Sequence, residues 1–126
     1  MQIKKIILSM LLIFAAALAH ALEIQPYSAA ALDVAQKADK PIALHFHADW
    51  CPTCRAQTAV LQELKSEKGL ELTVLVVNYD KEKALKRRFK VNAQSTLIVF
   101  RGQKEVGRLV GDASTEGIRT TLKSAL

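Results

Sequence analysis

The chain has 126 residues, 50% of them hydrophobic and 24% charged, which suits one compact domain and leaves no room for two. Its formal net charge is +6, and two of those charges, Lys4 and Lys5, stand ahead of a long apolar run, so the rest of the chain is only mildly basic. A balance of that size points to solubility and docking rather than phosphate binding, and no nucleic-acid partner is expected.

Ile6 to Ala19 is apolar apart from Ser9, and it ends at Ala19-His20-Ala21, the small-x-small spacing at which a signal peptidase cuts. The run falls short of the roughly 20 residues a stable membrane span needs. Residues 1–21 are therefore expected to be an export signal cleaved after Ala21, with 22–126 as the mature domain, and an uncleaved anchor as the alternative. No cysteine lies near the cut, so a lipid anchor is not expected.

Ser28 can cap a helix through about Ala38, with Ala31, Leu32 and Ala35 on its apolar face and Pro41 after its end. Ile42 to Ala48 is short and almost wholly apolar apart from its histidines, as in a strand covered on both faces. Cys51-Pro-Thr-Cys opens a second helix, Pro52 suiting the first turn, with Ala56, Val60 and Leu64 on one face and Gly69 at the end. Leu72 to Asn78 is a second strand, and Lys81 to Phe89 a charged helix carrying Leu85 and Phe89. Thr96 to Phe100 pairs through the turn Arg101-Gly102-Gln103-Lys104 with Glu105 to Val110, and Ser114 to Leu126 closes the chain as a helix. Helix, strand, helix, strand, helix, hairpin, helix predicts an α/β domain with a central mixed sheet flanked by helices on both faces.

The only two cysteines are Cys51 and Cys54. A two-residue gap closes almost no loop entropy, so a passive staple explains the pair poorly. Three apart in a helix, their Cα atoms lie about 5 Å from each other, within reach of a disulfide that opens and closes without backbone movement. At the helix start, Cys51 meets unpaired backbone N–H groups and the positive end of the macrodipole, which favour thiolate and predict it as the nucleophile. Cys54, one turn in, is expected to be buried and protonated, placed to resolve a mixed disulfide. Pro52 stiffens the turn, Thr53 leaves it uncharged, and both tune the potential.

His45 and His47 share a face of their strand and extend the motif to His-x-His-x3-Cys-x2-Cys, which as a set could hold zinc or copper. The plainer reading makes them neutral core residues with satisfied hydrogen bonds, above all His47. Trp50 is expected to pack as a lid beside the sulfur. Asp49 is read as an exposed charge without a catalytic role. Lys81, Lys83, Lys86, Arg87, Arg88 and Lys90 are read as a solvated helix face, with an acidic partner or anionic lipid as the alternative.

Pro41-Ile-Ala-Leu-His-Phe-His-Ala-Asp-Trp-Cys-Pro-Thr-Cys resembles the strand and active-site turn of the thioredoxin family, and the resemblance runs on through Leu72 to Asp80, Phe89 to Phe100 and the hairpin from Gly102 to Gly111. It implies a thioredoxin fold and thiol–disulfide exchange with protein disulfide and dithiol partners through a redox-active Cys51–Cys54 pair, without a further cofactor. The Ala-Asp-Trp-Cys lead-in resembles the reducing domains of periplasmic electron relays, which implies a reductant, a periplasmic location and a membrane electron donor. Pro52 resembles the motif of oxidising members. A monomer is expected. Departures from the family fall at four places. His45 stands where the family has a buried acid and would substitute as base for Cys54, Val76 where it has a buried lysine, His47 where many members have an aromatic residue, and Ser95 where it has a cis-proline facing the disulfide. A cis bond before a non-proline residue costs about 3 kcal/mol, so the Gln94–Ser95 bond either relaxes to trans or stays cis under strain, which puts substrate docking along this loop in question. Two alternative functions follow: a metal-binding or metal-delivery module using Cys51, Cys54, His45 and His47, and a redox-inert interaction protein.

Overall fold

A computed structural model describes residues 21–126. The expected export signal lies outside the described residues except for Ala21. The elements are β1 (Glu23–Pro26), α1 (Ala29–Lys37), β2 (Pro41–His47), α2 (Pro52–Leu64), β3 (Thr73–Asn78), α3 (Lys83–Arg88), β4 (Thr96–Arg101), β5 (Lys104–Val110) and α4 (Thr115–Lys123). No helix among the described residues is long and apolar enough to cross a membrane.

Five strands form one mixed sheet in the order β1-β3-β2-β4-β5. β3 runs parallel to both β1 and β2, while β4 is antiparallel to β2 and β5. Side chains alternate across the sheet, so each strand feeds two layers. Ile42, Leu44 and Phe46 of β2 pack with Leu32 of α1 and Leu85 of α3. Ala43 of β2 packs on the opposite face with Leu61 and Leu64 of α2 and Ile118 and Leu122 of α4. The expected mixed sheet with helices on both faces is therefore present.

Local chemistry sets the element ends. Ser28 and Ser114 accept hydrogen bonds from the backbone N–H groups of Ala31 and Gly117, capping α1 and α4. Gly102 turns the β4–β5 hairpin at φ +57°, where a Cβ would come within 3.2 Å of the Asp39 Cα, so any other residue there is both strained and crowded.

Several expectations need correction. β1 went unread, because Glu-Ile-Gln-Pro carries one half-buried apolar residue and a terminal proline, the signature of a short edge strand rather than of a core one. The buried stripe of α2 is Cys54, Gln57, Leu61 and Leu64, not Ala56, Val60 and Leu64: Ala56 is exposed and Val60 half-buried. A strict four-residue repeat drifts off a helix of 3.6 residues per turn, and the face that meets the sheet follows the true period. α3 and α4 are also shorter at their ends than the sequence suggested.

Candidate active site

β2, the central strand, ends at His47, and Ala48 to Trp50 bend the chain into α2 with Pro52 in the first turn. Cys51 is the N-cap residue, and its sulfur accepts a hydrogen bond from the Cys54 N–H at 3.2 Å. Both cysteines are free thiols, buried beside Ala48 and Tyr79.

Their environments pull the two thiols apart. Burial pushes the Cys51 thiol up, but hydrogen bonds from Cys54, from Ser95 and from the backbone N–H groups of Cys54 and Thr53 outweigh it and leave it below its ordinary value. Burial pushes Cys54 up, its hydrogen bond with Cys51 pushes it further, and Ser95 and the Ala48 backbone offset only part of this. Such a pair can supply a thiolate at Cys51 and keep a proton in reserve on Cys54.

Ser95 faces the pair from the loop before β4. Its hydroxyl oxygen lies 3.2 Å from Cys51 Sγ and 3.1 Å from Cys54 Sγ. No cis peptide bond occurs among the described residues, so the Gln94–Ser95 bond is trans, and Ser95 instead takes φ +62°. A non-glycine residue in that region costs about 1–3 kcal/mol and persists only when its surroundings enforce it. Here the Ser95 N–H donates to Phe46 O at 3.0 Å, and its carbonyl accepts from Gly111 N–H and from Gln57 Nε2, each at 3.0 Å.

Gln57 is a site residue that sequence reasoning missed. Its Nε2 donates to the carbonyls of Ser95 and Asp112, which leaves Oε1 to accept from His45 Nε2 at 2.8 Å. His45 therefore carries its proton on Nε2, and its buried Nδ1 has no partner among the described residues. Burial, first, and the neighbouring His47 lower His45 to about 4, with the Gln57 hydrogen bond opposing them. The expected base for Cys54 thus turns to Gln57 instead, and its basicity is largely lost. The signal for Gln57 was its position, three residues past Cys54 and four before Leu61.

His47 is not a closed core residue. It is half-buried, with Nε2 at 2.9 Å from Asp49 Oδ1 and Nδ1 at 3.4 Å from the Thr58 hydroxyl. Since His45 points to Gln57 and His47 to Asp49, the four expected metal ligands do not come together, and no group of three or more His, Cys, Asp or Glu among the described residues is placed to hold a metal. Trp50 is no lid either: it is 58% exposed, its indole N–H donating to Asp80 at 2.8 Å. Val76 pairs in register with His45 across β2 and β3, an apolar group where the resemblance implied a lysine. The basic residues around α3 are exposed or half-buried, as a solvated face requires.

A redox-ready dithiol at a helix start, on a mixed sheet covered on both faces, defines a class: dithiol–disulfide exchange domains. The family model described as Thioredoxin matches residues 25–124. The thioredoxin of Mycolicibacterium smegmatis is 36% identical over 89 residues, covering 69% of this chain and 80% of the relative. The match to the chloroplastic thioredoxin Y of Oryza sativa subsp. japonica, 27% identical over 94 residues, covers 75% of this chain and 56% of that longer protein. Among solved structures, Trxlp from Edwardsiella tarda EIB202 superposes with a TM-score of 0.74 at 37% identity, covering 79% of this chain and 98% of that one. The chain belongs to the thioredoxin family, and its Cys51-x-x-Cys54 pair makes it a thiol–disulfide oxidoreductase domain.

Proposed function

We propose that the protein is an exported, periplasmic thiol–disulfide oxidoreductase that reduces disulfides in partner proteins, working as a monomer and recharged by a membrane dithiol donor. The observation that carries the exchange reading is the opposed shift of the two thiols, Cys51 down and Cys54 up, across one turn of α2. In the reducing direction, Cys51 thiolate attacks a substrate disulfide and expels one substrate thiolate. Cys54 then attacks the Cys51 sulfur, expels the second and closes the Cys51–Cys54 disulfide.

A raised Cys54 supports the reducing direction, because a reluctant dithiol gains by closing into a disulfide. The Ala48-Asp-Trp-Cys lead-in supports it too, while Pro52 and the lowered Cys51 weigh toward oxidation. Lys4-Lys5, the apolar run and Ala19-His20-Ala21 support export. Equilibration with glutathione, read through Trp50 fluorescence, tests the direction: a potential near about −270 mV is expected, and one near about −120 mV reverses the assignment. Amino-terminal sequencing of the expressed protein is expected to begin at Leu22, and an intact Met1 overturns the cleavage.

A further inference from the structure

The exchange reading leaves one group unused. Ser95 Oγ stands between the reacting sulfurs, 3.2 Å from Cys51 and 3.1 Å from Cys54, and no other side chain among the described residues hydrogen-bonds both. Its backbone is fixed on both sides, through Phe46 O on its N–H and through Gly111 and Gln57 on its carbonyl. The Ser95 backbone is thereby held beside the sulfurs, within reach of its hydroxyl, whose proton is free to rotate. A serine hydroxyl has one proton to give, so of the two sulfurs it reaches it donates to one at a time, and a thiolate is the stronger acceptor.

We propose that Ser95 is a third catalytic residue, whose hydroxyl donates its hydrogen bond to whichever of the two sulfurs carries the negative charge. The inference rests on the thiol–disulfide exchange proposed above. In the resting dithiol, Ser95 O–H donates to the Cys51 thiolate, to which Cys54 S–H also donates. Attack on a substrate disulfide R–S–S–R′ forms Cys51–S–S–R and releases R′–S⁻, which removes the charge from Cys51. The hydroxyl then turns to Cys54, whose proton passes to the departing R′–S⁻, and stabilises the new thiolate. Cys54 attacks the Cys51 sulfur, the Cys51–Cys54 disulfide forms, R–S⁻ leaves, and two electrons have passed from the dithiol to the substrate. The backbone group nearest the Cys54 thiol, Phe46 O at 4.0 Å, has no proton to give.

The reagent 5,5′-dithiobis(2-nitrobenzoate) separates the two steps, since Cys51 attack releases one coloured thiolate and Cys54 resolution releases the second. Ser95→Ala removes the hydroxyl, and Ser95→Gly removes it while also suiting φ +62°, so the glycine variant has no added backbone strain to explain a loss. Stopped-flow measurement on both is expected to show each release slowed about tenfold, as for a lost hydrogen bond to a charged group, with the pH midpoint of the first release moved upward. If Ser95→Gly stays within about twofold of the wild type in both steps, or slows the first alone, the proposal fails. A wild-type protein that releases only one thiolate overturns the exchange reading itself.

Discussion

On the α1/α3 side of the sheet, Leu32, Leu44, Phe46, Leu85 and Phe100 fill the space with apolar volume. On the α2/α4 side the packing is equally apolar around Leu61, Leu64 and Ile118, until it reaches the thiols, where His45, Gln57 and Ser95 stand buried and joined. The first layer needs only apolar volume and contact, and tolerates hydrophobic side chains that conserve that volume. The second needs each donor to meet its acceptor, since an unpaired polar group at that depth costs more than the bond contributes. Holding the strained Ser95 against the sulfurs is what that polar strip achieves, and it is where stability and function meet.

The largest effect on this contrast should come from emptying the apolar layer. Phe100 is buried and packs against Phe89 at a tilt of 56°, with ring centroids 5.1 Å apart. Phe100→Ala is expected to lower unfolding free energy by about 3–5 kcal/mol in urea melts, while the folded variant keeps both steps of thiol exchange. Loss of exchange with stability intact would break the separation of the layers.

Next comes acid. Burial lowers His45 from its ordinary value of 6.5 to about 4 in the folded chain, so between those values the unfolded chain binds more protons. Stability is then fully present above about pH 6.5 and falls as the pH drops toward 4, by about 3 kcal/mol in all. Urea melts across this window should show that loss, and His45→Leu should flatten it. An equally steep loss in the variant would assign the acid sensitivity elsewhere.

Smaller again is the link itself. Gln57→Leu keeps the volume but removes the donors to Ser95 and Asp112 and the acceptor for His45, and should cost about 1–3 kcal/mol in thermal or urea unfolding. Smallest is the exposed rim, where Lys86 Nζ sits 3.7 Å from the Tyr79 ring centroid. Lys86→Ala should cost about 0.5–1 kcal/mol by the same melts, and a larger loss would mean that α3 is more than a solvated face.

What the sequence disclosed follows the same division. Apolar runs and their period marked β2, β3, β4 and the helices, and the Trp50-Cys51-Pro52-Thr53-Cys54 motif marked the redox pair, because burial and helix-end chemistry are written locally. The polar strip was not legible. Gln57 reads as one polar residue in a helix, and its meaning depends on Ser95, 38 residues away in the chain. His45 looked like a base for Cys54 because it stands where the family has its buried acid, yet its partner is decided by which α2 side chain turns toward β2. Trp50 looked like a lid, and the Asp80 carboxylate, reached only after β3, holds it outward. β1 escaped because its stability comes from pairing with β3 rather than from its own composition.

The central claim is that one turn of helix makes Cys51 the reactive thiolate and Cys54 the reserve. Iodoacetamide alkylation of the reduced protein across pH, with each cysteine resolved by mass spectrometry, tests it most directly. Cys51 should be modified with a midpoint below the ordinary thiol value of 9.0, and Cys54 should resist until the pH is well above it. Equal rates at the two cysteines, or Cys54 reacting first, would contradict the account.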